Sequence, residues 1–151
     1  IKFWNASDAV TTGQRNVSFS VSDGDGGTSL AALGDVVNVT GFNDKPVLTL
    51  NDGTPAKYTE NAVPLLIATS GTVVDVDLLN FDTGVLTVAI EVGGDIHDVL
   101  SIKHTEPAAG KVSVVGNVLR YMNSALVPYD IGTFTGGDVN TPLSITFNVM
   151  H

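Results

Sequence analysis

Short runs of alternating apolar and polar residues recur along the chain and constrain its fold more than any other feature. A period of two places the apolar side chains on one face of a β-strand, whereas an amphipathic helix needs a period near 3.6. No stretch of a dozen residues keeps the helical period. The alternating runs are "VSFSV" at 17–21, "VVNVT" at 36–40, "VLTVAIEV" at 85–92, "KVSVV" at 111–115, "NVLRYM" at 117–122 and "LSITFNV" at 143–149.

Turn signals rich in glycine separate these runs, among them "DGDGG", "VGGD", "AAGK" and "TGGD". Each strand is therefore expected to be short, and each connection is expected to be a hairpin or a surface loop. Many short strands without intervening helices favour an all-β fold. The pattern predicts an antiparallel Greek-key β-sandwich.

Length and charge exclude several classes of protein. The 151 residues suffice for one good core, so one domain plus a remnant is expected. The formal net charge is −9, and a field of that sign repels phosphate backbones, so no nucleic-acid partner is expected. No run approaches the roughly 18 apolar residues of a membrane span, so no membrane insertion of this segment is expected. The chain has no cysteine, which excludes disulfides and thiolate zinc sites.

Two pairs of segments resemble each other in the same order along the chain. Residues 1–7, "IKFWNAS", match "LRYMNSA" at 119–125 in residue character, and "VSFSVS" at 17–22 matches "ITFNVM" at 145–150. Such self-similarity is typical of tandem repeats. Residues 1–44 are therefore expected to be the C-terminal strands of one repeat, and residues 45–151 most of a second repeat that lacks its last strand.

The junction between the two expected repeats is "FNDKP", in which Pro46 suits the first residue of a strand or an edge position. A repeat that lacks its last strand has an open sheet edge. We expect the strands of residues 1–44 to fill that edge by strand addition, either within the chain or from a neighbouring chain.

The acidic residues gather in short clusters. Asp75 and Asp77 lie two apart in "DVD", so a purely extended strand would place both carboxylates on one face, where they repel. A calcium ion, which takes about six to eight oxygen ligands, would remove that conflict. Asp23 and Asp25 in "DGDGG" can join such a site or simply favour the turn. Neither motif has the spacing of an EF-hand loop.

Several of these pieces together resemble the cadherin-like tandem repeats of large bacterial surface and secreted proteins, including adhesin-like outer-membrane proteins. "VSFSVSDGDGGTS" and "VNVTGFNDKPVL" look like the closing strands and linker of those repeats. "YTENAVPLLI" with "VVDVD" looks like their opening strand and aspartate pair, and "GDIHDVLSI" is similar to their middle segment. The departures are "NDK" in place of the fuller Asp and Asn linker of animal cadherins, and His151 where the internal alignment expects an acid.

The resemblance implies a cadherin- or immunoglobulin-like sandwich and a noncatalytic structural or adhesion role in a protein that is secreted or displayed at the bacterial cell surface. It also implies that calcium locks one repeat against the next, with neighbouring repeats of the same chain as partners and a cell-surface protein or a glycan as candidate ligands. Asn43 and Asp44 would bind the ion from the linker, together with Asp75 and Asp77. Glu60 resembles the cadherin glutamate that serves the ion at the far end of its own domain.

Two other readings have less support in the sequence. An enzyme is not expected, since the catalytic motifs of metalloproteases, hydrolases and P-loop proteins are missing and His97, His104, Asp95 and Asp98 read as surface loop residues. A carbohydrate-binding module attached to a secreted enzyme or adhesin is the main alternative. Its stacking platform would be Trp4, Phe42, Tyr58 and Tyr129, although Trp4 itself is read as a core residue.

Overall fold

A computed structural model describes residues 1–50, 54–68, 70–78 and 80–149, with only the backbone of Leu33. These residues form nine strands and no helix. The strands are β1 (Gly13–Phe19), β2 (Ala32–Val39), β3 (Val47–Leu50), β4 (Gly71–Val74), β5 (Val85–Val88), β6 (Val112–Val115), β7 (Val118–Met122), β8 (Pro128–Thr135) and β9 (Leu143–Phe147). All their pairings are antiparallel, which confirms the all-β, antiparallel prediction.

The chain divides into two compact units. The first comprises Ile1–Gly53 and Ser70–Leu79, and the second comprises Thr54–Thr69 and Asn80–His151. These units differ from the expected segments 1–44 and 45–151, because the β3–β4 pair belongs to the first unit. The tandem repeat expected from the internal sequence similarity, with its boundary at residue 44, stays a prediction. No helix in the described ranges is long and apolar enough to cross a membrane.

The first unit holds two separate two-stranded sheets, β1–β2 and β3–β4. In β1 the residues at positions 13, 15 and 17 are half-buried and those at 14, 16 and 18 are exposed. Of the apolar residues in the predicted run at 17–21, only Val17 is half-buried, because Phe19 and Val21 are 44% and 70% exposed. The β1–β2 register shifts at a bulge between Asn16 and Ser18. The β3–β4 pair runs from Val47 opposite Val74 to Leu50 opposite Gly71, with exposed side chains throughout both strands.

The second unit is built on one five-stranded sheet in the order β5-β9-β8-β7-β6. The last four strands follow one another as antiparallel neighbours, and β5 joins the sheet by pairing with β9. Both sides of β9 are therefore occupied, and β1 and β2 pair with each other instead of with this sheet. Strand addition from a neighbouring chain stays a prediction.

The core lies on one face of the five-stranded sheet. Leu119, Leu143 and Ile145 are only 5%, 5% and 8% exposed. Leu86 in β5 and Phe134 in β8 are the cross-strand neighbours of Ile145, and residues directly opposite one another share a sheet face. The alternating apolar residues of β5 and β9 therefore meet one another, as their period of two predicts, and they also meet Phe134 of β8.

Candidate functional site

The aspartate pair of "DVD" lies just beyond the end of β4. The Asp75 carboxylate oxygen Oδ1 accepts hydrogen bonds from the backbone N–H groups of Asp77, at 2.9 Å, and Leu78, at 3.1 Å. Aspartate commonly closes turns in this way, by binding the backbone two or three residues further on. Asp75 therefore bends the chain as it leaves the strand.

Asp77 connects this turn to the junction segment. Its Oδ2 accepts a hydrogen bond of 2.5 Å from the backbone N–H of Asp44. The contact spans 33 residues of sequence, and the β3–β4 register explains it. Because Val47 lies opposite Val74 in an antiparallel pair, the residues before β3 run beside those after β4. The neighbouring Asn43 donates from Nδ2 to the Asp44 carbonyl oxygen at 2.8 Å.

This geometry changes the electrostatic argument for an ion. Asp75 and Asp77 are not on an extended strand, because β4 ends at Val74 and a turn follows. The Asp75 carboxylate accepts from two backbone N–H groups and the Asp77 carboxylate from one, so both already have hydrogen-bond partners. In the described ranges, no three His, Cys, Asp or Glu side chains are grouped so that they could hold a metal ion. The residues as placed do not form a metal centre, and calcium binding stays a prediction.

A cavity of about 400 Å³ lies at the same end of the first unit. It is lined by Asp8, Asp44, Lys45, Val47, Val74 and Val76. Asp8 and Lys45 were not singled out by the sequence. The position of Lys45 just before β3 indicates a place in this cavity only once the β3–β4 register is known. Nothing in the sequence marks Asp8.

The "DGDGG" acids form a turn. Asp23 Oδ1 accepts from the backbone N–H groups of Asp25, at 2.9 Å, and Gly27, at 3.0 Å. These bonds to Asp25 and Gly27 hold the pKa of the Asp23 carboxyl below its usual value. Gly24 and Gly26 have φ angles of 81° and 96°, which glycine adopts at little cost. The arrangement matches the turn interpretation of this motif.

Glu60 belongs to the second unit, so the structure does not group it with the first-unit acids. It lies exposed in a turn in which Ala62 N–H donates to the Thr59 carbonyl oxygen at 3.0 Å. The Tyr58 hydroxyl also donates to the Ala62 carbonyl oxygen at 3.0 Å and fixes the same turn. The role of Glu60 as a calcium ligand stays a prediction.

His97 and His104 occupy two different local structures. Asp95 Oδ1 binds both the backbone N–H of His97, at 3.0 Å, and the ring Nδ1, at 2.8 Å, which lowers the pKa of the Asp95 carboxyl. Asp98 Oδ2 accepts from Asp95 N–H at 2.8 Å and closes this exposed turn. His104 instead accepts a hydrogen bond from the backbone of β6.

The aromatic residues proposed as a sugar platform lie on separate segments. Trp4 is 82% exposed and lies before β1, so the expectation that it is a core residue is wrong. The reason is that residues 1–12 form no strand and therefore pair with no sheet. Phe42 is 86% exposed and follows β2, while Tyr129 lies on β8 in the other unit.

No family model matches this sequence, and neither does any curated protein or solved structure.

Proposed function

We propose that the chain is a noncatalytic structural or adhesion repeat of a secreted or surface-displayed bacterial protein, with neighbouring repeats as its partners. Within this proposal the fold is a Greek-key sandwich of the cadherin-like kind. The observation that carries it is the bond from Asp44 N–H to Asp77 Oδ2. A spacer repeat needs its junction segment to be restrained, and this contact ties Asp44 to the turn after β4 within the first unit.

The chemistry of the contact suits such a role. A carboxylate that accepts from a backbone N–H makes a stronger bond than a neutral acceptor does. Because the donor is the backbone N–H of Asp44, the bond restrains the backbone of the junction directly. Asn43 adds a second restraint through its bond to the Asp44 carbonyl oxygen.

The attachment is tested by amide hydrogen exchange in the 151-residue chain and in Asp77→Ala. We expect exchange at Asp44 to quicken in the variant while the amides of β7 and β8 keep their protection, since the second unit contains neither residue. Asp35→Ala, which removes an exposed acid of β2, is the matched control. Unchanged exchange at Asp44 in Asp77→Ala would remove the observation on which the proposal rests.

Calcium binding at the junction is the second part of the proposal. Its support is the donor chemistry, because Asn43, Asp44, Asp75 and Asp77 supply carboxylate and amide oxygens of the type that calcium prefers. Calorimetric titration with calcium tests it, together with melting in chelator. We expect saturable binding that is lost in the double variant Asp75→Asn with Asp77→Asn and kept in Asp95→Asn with Asp98→Asn. Absence of binding heat and of a melting shift in the original chain would leave a metal-independent spacer.

A carbohydrate-binding module is the second candidate, and the exposure of the Trp4 and Phe42 rings in the first unit favours it. Exposed aromatic faces are the usual platforms for sugar rings. Trp4 is the one tryptophan of the chain, so its fluorescence reports on the site directly. A saturable change on titration with oligosaccharides, lost in Phe42→Ala, which keeps the Trp4 fluorophore, would favour this candidate over the spacer.

A further inference from the structure

The outer edge of β6 carries side-chain hydrogen bonds in place of a partner strand. β6 is the last strand of the five-stranded sheet, and its inner neighbour is β7. On the outer side, His104 Nδ1 accepts from the backbone N–H of Val114 at 3.1 Å. Thr105 Oγ1 donates to the backbone carbonyl oxygen of Val112 at 2.5 Å. The backbone N–H and C=O groups of residues 112 and 114 point to the same, outer side because these residues are two apart. The backbone groups of Ser113, between them, point toward β7.

These two bonds protect a vulnerable part of the fold. The unpaired N–H and C=O groups of an edge strand are a template for pairing with another chain. The sequence of β6, "VSVV", is uncharged and rich in β-branched residues, so the side chains on its own strand do little to discourage such pairing. His104 and Thr105 each occupy one outward-facing group, the Val114 N–H and the Val112 carbonyl oxygen.

The bond from Val114 also fixes the protonation state of His104. A backbone N–H only donates, so Nδ1 must carry a lone pair and the ring must be neutral, with its hydrogen on Nε2. An imidazolium ring has hydrogen on both nitrogens and accepts nothing. Histidine is the side chain that ordinarily changes between these forms from about pH 5 to about pH 8.

We propose that His104 is a protonation-sensitive cap on the outer edge of β6, which covers the Val114 amide when the ring is neutral and releases it when the ring is protonated. Acidification then uncovers the strand edge at Val114. The Thr105 hydroxyl does not titrate in this range, so the carbonyl oxygen of Val112 keeps its partner. Protonation of His104 therefore exposes the Val114 N–H and leaves the Val112 carbonyl oxygen bound to Thr105.

Few charged groups oppose or assist this change. Glu106 Oε1 lies 3.8 Å from His104 Nε2, but the Glu106 side chain is 94% exposed, so solvent screens its charge. β6 has no titratable side chain, and Lys111 precedes it. Arg120, opposite Ser113 in β7, is bound to Asp130. Lys103 adjoins His104 in the sequence, and neither lysine nor arginine side chains ordinarily change charge in this pH range.

Amide hydrogen exchange of the whole chain tests the proposal, with each rate corrected for the intrinsic effect of pH. Between about pH 8 and about pH 5.5 we expect protection of the Val114 amide to fall about fivefold, as for loss of one hydrogen bond. The Ser113 amide, on the β7 side, should not change. The ring nitrogen shifts of His104 should show the Nε2–H form at the higher pH.

Two variants at position 104 separate capping from titration. In His104→Ala we expect the Val114 amide to exchange quickly at both pH values. In His104→Asn the side-chain Oδ1 stands at the branch position of Nδ1 and can still accept but does not titrate, so the pH dependence should disappear. His97→Asn is the matched control, because His97 lies in the separate Asp95 turn. A pH-independent Val114 amide in the original chain, or the same acid effect in His104→Asn, would overturn the proposal.

Discussion

Arg120 and Asp130 form a two-point ion pair across neighbouring strands. Arg120 Nε donates to Asp130 Oδ1 at 2.6 Å, and Nη2 donates to Oδ2 at 3.2 Å. The two residues are direct partners in the β7–β8 register, just beyond a bulge between Leu119 and Arg120. The pair therefore joins the first two opposed residues of the register that follows the bulge.

This pair predicts an acid-sensitive contribution to stability. Its hydrogen bonds hold the pKa of the Asp130 carboxyl below its usual value. A carboxyl group with a lowered pKa in the folded state stabilises that state above its unfolded pKa, and the contribution disappears as pH falls through the folded pKa. We expect the urea midpoint of the original chain to fall more between about pH 6 and about pH 2 than that of Asp130→Asn.

Asp35→Asn, which changes an exposed acid of β2, serves as the control for loss of one negative charge. It should keep the steep acid dependence of the original chain. If Asp130→Asn and the original chain lose stability in parallel over this range, the ion pair makes no linked contribution.

Truncation of the core leucine in β7 should destabilise the second unit strongly. Leu119 is 5% exposed and lies opposite Val114 and Gly132 in the neighbouring strands. Leu119→Ala removes buried methyl groups and leaves a cavity, which ordinarily costs about 2–4 kcal/mol in the free energy of unfolding. Urea denaturation measures the loss. Val92→Ala, at a residue that is 92% exposed, should change stability by less than about 0.5 kcal/mol.

Alternation alone predicted much of the second unit. β6, β7 and β9 lie inside the predicted runs at 111–115, 117–122 and 143–149, since strands with one buried face need that period. β8 was missed because it begins at Pro128 and contains Gly132, two residue types that are uncommon in strands. Its place in the sheet comes from its neighbours β7 and β9 instead.

The candidate site was only partly visible in the sequence. Asp44, Asp75 and Asp77 were singled out by residue type and resemblance, but the bond from Asp44 N–H to Asp77 depends on the β3–β4 register. That register joins two four-residue strands far apart in the sequence, and neither has a distinctive local pattern. The edge bond of His104 was missed for a similar reason, because its partner is a backbone amide ten residues away.

A side chain at position 132 should disturb the β8–β9 pairing. A Cβ atom on Gly132 would lie 2.6 Å from the backbone carbonyl oxygen of Thr146, closer than such atoms approach one another. Backbone must move to relieve the contact, so we expect Gly132→Ala to cost about 1–3 kcal/mol, as overpacking ordinarily does. The control is Thr135→Ala at the exposed end of β8. Equal urea midpoints for the two variants would show that β8 and β9 accommodate the added methyl group without a loss of stability.

Two substitutions of Asp75 distinguish its turn from its proposed part in a calcium site. Asparagine keeps the Oδ1 acceptor for the N–H groups of Asp77 and Leu78 but removes the charge, whereas alanine removes both. In chelator we expect Asp75→Asn to melt with the original chain and Asp75→Ala to melt about 4–8 °C lower, for a loss near 1 kcal/mol.

Melting in the presence of calcium then tests whether the charge of Asp75 contributes to ion binding. If the junction binds the ion, calcium should raise the melting temperature of the original chain and raise that of Asp75→Asn less, because the asparagine oxygen is a weaker ligand. Equal shifts in the two proteins would place any bound calcium away from Asp75. A lower melting temperature of Asp75→Asn in chelator would show that the charge itself stabilises the turn, through its bonds to the two backbone amides.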